Sequence, residues 1–157
     1  QRRLVESGAF SDPRSHIYYL PELYCAYFGR CHAAFAALPP AARRAIDPDE
    51  SFGYIRGRVL AYVQDTLMSA EMNAFDAALA LIALGHLGAD AAAFTPALNC
   101  IVANAGEGGR RGPFKAYEWN KMKTPTRIVV GGPEVTSAFV LMGLALARKA
   151  LRPPAKR

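Results

Sequence analysis

Asn73-Ala74-Phe75-Asp76-Ala77-Ala78-Leu79-Ala80-Leu81-Ile82-Ala83-Leu84 carries one acid in an otherwise apolar run after its opening Asn. At helical spacing, Phe75, Ala78, Leu79 and Ile82 share one face, and Ala74, Ala77, Leu81 and Leu84 share the other. A helix with no polar face must be enclosed by neighbours all round. The run from Ala74 to Leu84 and a second one from Val135 to Ala147 both fall short of the roughly 20 residues that span a bilayer. Both therefore read as core rods, buried on every side.

Punctuation extends this reading in both directions. Ser11-Asp12-Pro13 marks a turn, and Pro21 suits the first turn of a helix running to about Leu38. Pro39-Pro40 ends that helix, and Asp47-Pro48-Asp49-Glu50-Ser51 supplies dense start signals for another from Phe52 to Met68. This one carries Arg56, Arg58, Gln64 and Asp65, so it is half-exposed. A helix over Met72–Leu87 stops at Gly88, and a fourth follows the Gly88-Ala89-Asp90 turn and ends before Gly106. Residues 106–132 form a long non-helical loop rich in Gly, Pro and basic side chains, of a length that is usually functional or mobile. Pro133 then opens a last helix to Leu151.

Three of these helices begin alike. Pro21-Glu22-Leu23-Tyr24-Cys25-Ala26, Ala70-Glu71-Met72-Asn73-Ala74-Phe75 and Pro133-Glu134-Val135-Thr136-Ser137-Ala138 each run from Pro or a small residue through Glu to an apolar residue. The intervals between the Glu residues are 49 (71 minus 22) and 63 (134 minus 71), and the 106–132 loop accounts for the longer one. Such periodicity marks a repeat, here a helical hairpin spanning about 16–68, 71–105 and 133–151. Enclosed and half-exposed helices alternate, as two concentric layers require. Each Glu has an ordinary role in its first turn, where a carboxylate satisfies free amides and the positive end of the helix dipole.

Composition fits an all-α globular domain: 157 residues, 52% hydrophobic and 20% charged. The net charge of +6 permits anionic partners. The interleaving of basic and aromatic residues that serves single-stranded nucleic acid is missing, so no nucleic-acid partner is expected. Cys25, Cys31 and Cys100 are too few for a disulfide framework, which points to a reducing, cytoplasmic setting. Cys25 and Cys31 lie six apart on one helix and diverge, so they cannot share a metal, and no metal site is expected. The opening Gln1-Arg2-Arg3 reads as the continuation of a longer product.

The Asn73–Leu84 run resembles the inner-helix segment of squalene cyclase and prenyltransferase repeats. Tyr117-Glu118-Trp119 followed by Val130-Gly131-Gly132-Pro133-Glu134-Val135-Thr136-Ser137-Ala138-Phe139 is similar to the aromatic-bearing loop and Gly-Pro-Glu junction of the same α/α-toroid family. The likeness covers roughly residues 60–150, with Pro21–Leu38 as a third copy. The resemblance implies a partial α/α toroid of antiparallel helical-hairpin repeats that binds an apolar isoprenoid in a central cavity. Three hairpins make about half of a six-hairpin ring, so the rest of a longer chain or a second copy is expected to cover the exposed inner helices. The sequence departs from the family in lacking an Asp-x-Asp-Asp acid motif and a clear Gln partner for Trp119. Asp47-Pro48-Asp49-Glu50 reads instead as a turn and helix cap.

A terpenoid cavity needs an apolar wall, aromatic faces for carbocations and an acid or a diphosphate-handling group. Asp76 is the outstanding acid, because within an apolar helix it must be paired, protonated or near water, and burial there perturbs its pKa. Glu71, Asp76 and Glu134 are the catalytic candidates. Tyr24, Asn73, Phe75, Tyr117, Trp119 and Thr136 are the substrate-binding ones. Arg110 and Arg111 in the basic loop suit a diphosphate held bidentately. No cofactor is called for, apart from Mg where the substrate carries a diphosphate. The competing reading is a non-catalytic helical scaffold, with peripheral membrane contact open in either case.

Overall fold

The computed structural model describes residues 21–68, 72–105, 114, 117–119, 128–130 and 132–152. These are mostly helical. The helices are α1 (Pro21–Ala36), α2 (Pro40–Ile46), α3 (Ser51–Tyr62), α4 (Ala74–Leu87), α5 (Thr95–Asn104) and α6 (Pro133–Ala150). A π-helical turn, Val63–Leu67, continues α3, and a 3-10 turn, Ala91–Phe94, leads into α5. The 106–132 stretch holds a small antiparallel ribbon, β1 (Tyr117–Trp119) with β2 (Ile128–Val130), in which Tyr117 pairs with Val130 and Trp119 with Ile128.

Helix α4 is the axis of the core. Eleven of its fourteen residues are buried, as its apolar sequence requires. Its main neighbours are α6 and α1, with α5 behind them. Leu23 and Ala26 of α1 and Phe139 and Leu146 of α6 pack with Phe75, Leu79 and Ile82 of α4. Further along, Gly29 lies against Ala83 and His86, and Gly143 against Ala78 and Leu81. Residue numbers rise together on all three helices, so α1, α4 and α6 run parallel and start at one end of the molecule. A Cβ on Gly143 would sit 2.9 Å from the Ala78 carbonyl oxygen, which is why this position lets the two helices meet backbone to backbone.

The remaining helices run the other way. Phe52 at the start of α3 stacks on Phe35 near the end of α1. Arg56 donates through Nε and Nη2 to the Leu87 carbonyl at 2.9 and 2.6 Å, so α3 is antiparallel to both α1 and α4. These bonds satisfy a carbonyl that the end of α4 would otherwise leave free. Gly88 closes that end in the left-handed conformation at φ 64°. At the far end of α5, the Cys100 thiol donates to the Met72 carbonyl at 3.2 Å, making α4 and α5 a second antiparallel pair.

Helix α3 buries Ile55 and Val59, and the turn after it buries Val63 and Leu67. A stripe spaced by four drifts forward around an α-helix, and the wider π turn sets it back toward α4. The half-exposed character read from Arg56, Arg58, Gln64 and Asp65 is correct, although the α-helix ends at Tyr62 rather than Met68.

Two expectations need correction. Helix α6 is not enclosed: only Thr136, Val140, Gly143 and Ala147 are buried, while Val135, Leu141 and Met142 are exposed. The buried stripe is the one that packs toward α4. The central helix begins at Ala74 with Asn73 as its cap, two residues after the expected start at Met72, and Glu71 lies outside the described residues. The first-turn acid of α4 is Asp76.

Candidate functional site

The common end of α1, α4 and α6 gathers most of the residues singled out in the sequence. Its first-turn acids are Glu22, Asp76 and Glu134. Their settings differ: Glu22 is buried, Asp76 half-buried and Glu134 exposed. Asn73 organises the start of α4. Its Oδ1 accepts from the amides of Phe75 and Asp76 at 2.9 and 3.0 Å, and its Nδ2 donates to Asp76 Oδ2 at 2.8 Å. Asn73 is thus both helix cap and partner of the acid. Glu71, Arg110 and Arg111 lie outside the described residues.

The wall of this end is apolar and aromatic. Phe75 and Phe139 meet edge to face with ring centres 5.2 Å apart, a favourable aromatic geometry. Thr136 is 1% exposed, and its Oγ1 has no hydrogen-bond partner among the described residues. An unsatisfied hydroxyl in a core is uncommon and needs an explanation. Beside it, Ser137 Oγ donates to the Pro133 carbonyl at 2.7 Å and accepts from the Phe114 amide at 3.3 Å. Phe114 itself is buried, which fastens one point of the 106–132 stretch to the first turn of α6. Because β2 ends two residues before Gly132, the ribbon that carries Tyr117 and Trp119 in its backbone enters at this same end.

Electrostatics here argue against cysteine chemistry. Burial pushes the Cys25 thiol far up, and the Glu22 carboxylate adds to the shift. The Cys100 thiol is raised by burial and then by the charge of Asp76. Both stay protonated near neutral pH and make poor nucleophiles. Tyr24 is half-buried, and its hydroxyl is pushed up by burial, then by Cys25 and Cys31. Among the described residues, no three His, Cys, Asp or Glu side chains come together as a metal site.

No family model, curated protein or solved structure matches the chain. The site must be read from its own chemistry: an acid held by an amide, a buried free hydroxyl and an aromatic pair, all at one end of three parallel rods. No helix among the described residues is long and apolar enough to cross a membrane.

The structure brings Asn73, Phe75, Asp76 and Thr136, all singled out in the sequence, to one end, together with Phe139, Ser137 and Phe114, which were not singled out as site residues. Phe139 is legible in the sequence as an aromatic residue that lies one helical turn before Gly143 and one after Val135 in the apolar run of α6. The separation of 23 positions between Phe114 and Ser137 leaves no local signal for their bond. The acidic string at Asp47 is a cap, since its two carboxylate oxygens accept from the amides of Ser51 and Phe52 at 2.9 and 2.8 Å.

Proposed function

We propose that this chain is an arc of a terpenoid-cyclase-type α/α toroid that binds an apolar isoprenoid at the common end of α1, α4 and α6. The observation that carries the reading is the parallel run of these three helices, with α3 and α5 antiparallel to them. That alternation is what inner and outer layers of hairpins require. Asp76, positioned by Asn73, is the acid best placed to act on the ligand. Glu22 and Glu134 lie in the first turns of α1 and α6 at the same end, and Glu71 lies close by in sequence.

Phe75 and Phe139 would supply aromatic faces to a cationic intermediate. The basic loop with Arg110 and Arg111 would hold a diphosphate, with Mg as counter-ion where the substrate carries one. The exposed apolar face of α6, with Val135, Leu141 and Met142, supports a further segment or a second copy closing the ring. A cytoplasmic protein that collects its substrate at a membrane surface fits the apolar ligand.

A second reading is a scaffold that keeps the hairpins without the reaction, favoured by the bond that engages Asp76 with Asn73. Incubation with farnesyl diphosphate, geranylgeranyl diphosphate or squalene, with and without Mg, followed by mass spectrometry of the extract, separates the two. A cyclised product that disappears in Asp76→Asn supports the cyclase. Binding without turnover in the full chain supports the scaffold, and no binding at all removes the terpenoid reading.

A further inference from the structure

The side of α6 that faces away from α4 carries an ordered run of side chains. At about 100° per residue, Val135, Ala138, Leu141, Met142 and Ala145 fall on one side of the helix, opposite the buried Thr136, Val140, Gly143 and Ala147. All five are exposed, Leu141 by 66% and Met142 by 50%. Their alternating spacing of three and four is that of the seam along which two helices pair. Exposed charges close the seam at its ends, Glu134 at the start and Arg148 with Lys149 at the finish.

This run is self-complementary about its middle. Glu134 and Lys149, Val135 and Arg148, Ala138 and Ala145, and Leu141 and Met142 are each equally far from the point between 141 and 142. A second copy turned about a twofold axis through that point therefore lays Glu134 beside the partner's Lys149, Ala138 beside the partner's Ala145 and Leu141 beside the partner's Met142. The alanine layers leave room on both sides of the centre into which the longer Leu141 and Met142 tilt. A parallel copy fails on charge, because it sets Glu134 against its own counterpart and Arg148 and Lys149 against theirs. Like charges brought together across a contact select against that alignment. Helix dipoles favour the antiparallel sense as well.

We propose that α6 is the contact surface of a twofold dimer, in which the α6 of a second copy packs antiparallel on the seam from Val135 to Ala145 and Glu134 of each copy meets Lys149 of the other. Such an interface is isologous, the same patch serving both copies. A single pair of helices buries less area than a standard interface, so association is weak and governed by concentration. The ion pairs at the rim set the direction of packing more than its strength. The dimer needs no ligand and does not rest on the terpenoid reading, since a copy that completes a ring would run parallel to α6.

The test is sedimentation velocity of the full chain without ligand, from micromolar to near-millimolar concentration, with zero-length carbodiimide coupling of carboxylates to amines at the upper end. A monomer–dimer equilibrium is expected, together with an amide that joins Glu134 to Lys149. These residues lie about 22 Å apart along one helix, so that amide forms only between copies. Leu141→Glu should weaken the dimer by about tenfold or more, because it places a charge in the seam. Leu141 is exposed in the single chain, so the variant should keep the parent's helical content and melting curve at micromolar concentration, and Met142→Glu repeats the test at a second position. Glu134→Lys should also weaken the dimer, and Lys149→Glu added to it should restore association. A chain that stays monomeric throughout, a dimer that Leu141→Glu and Met142→Glu leave intact, or one coupled without the Glu134–Lys149 amide would overturn the proposal. None of these outcomes bears on isoprenoid binding.

Discussion

Asn73 holds Asp76 from two directions, accepting its backbone amide at 3.0 Å and donating to its Oδ2 at 2.8 Å. One short side chain therefore starts the central helix and aims its only acid. Capping and positioning cannot be separated by sequence, but they can be separated by substitution.

Asn73→Ala removes the cap and should cost about 1 kcal/mol of stability in urea unfolding. Asn73→Ser keeps an acceptor for the amides but loses the donor to Asp76, so it should recover most of that loss. If Asp76 works on a ligand, Asn73→Ser will still lower activity at near-parental stability.

Thr136→Val keeps the shape of the side chain and removes the buried Oγ1 that has no partner among the described residues. Stability should hold or rise, because an unsatisfied buried hydroxyl is unfavourable. A fall in isoprenoid affinity in the same variant, read by calorimetry, would place that hydroxyl against the ligand.

Gly143→Val should destabilise the chain by about 1–3 kcal/mol, because the new Cβ would lie 2.9 Å from the Ala78 carbonyl and overpacking of this kind forces helices apart. Gly57→Ala is the control. Nothing lies within 4 Å of its added Cβ, and Ala in a helix should stabilise by up to about 1 kcal/mol. Thermal melts of the two variants read the difference directly.

The core helix was legible in the sequence because the Asn73–Leu84 run has no face to give to water. Its start lies at Ala74, two residues beyond the Met72 expected from the repeated Glu. The Asn-x-x-Asp spacing of Asn73 and Asp76, an acceptor followed three residues later by an acid, is a capping signature that marks the true start. The exposed face of α6 was not legible. Apolar residues all round a helix state what it would bury, and not which neighbours are present.

Stability should depend on pH at both ends of the range. Burial holds the imidazoles of His32 and His86 below their ordinary value of 6.5, with help from Arg56 for the first and from Arg30 and Lys149 for the second. Below that value the unfolded chain binds more protons than the fold, so stability is full above about pH 6.5 and falls as pH drops through it toward the depressed folded values. The Cys25 and Cys100 thiols are shifted the other way, upward from 9.0. Their contribution is present below pH 9.0 and is lost as pH rises beyond it. Urea midpoints between pH 5 and pH 10 should trace a plateau with two shoulders, and His32→Phe should flatten the acid one.

The most direct measurement is an isotope-edited NMR titration of the chain with farnesyl diphosphate, following the amides and side chains of Leu23, Phe75 and Phe139. These residues come from α1, α4 and α6 and meet at the common end. Saturable shifts in all three, with contacts from the isoprenoid chain to the two phenyl rings, are the predicted result. Shifts that never saturate, or that fall only on residues away from this common end, would contradict it.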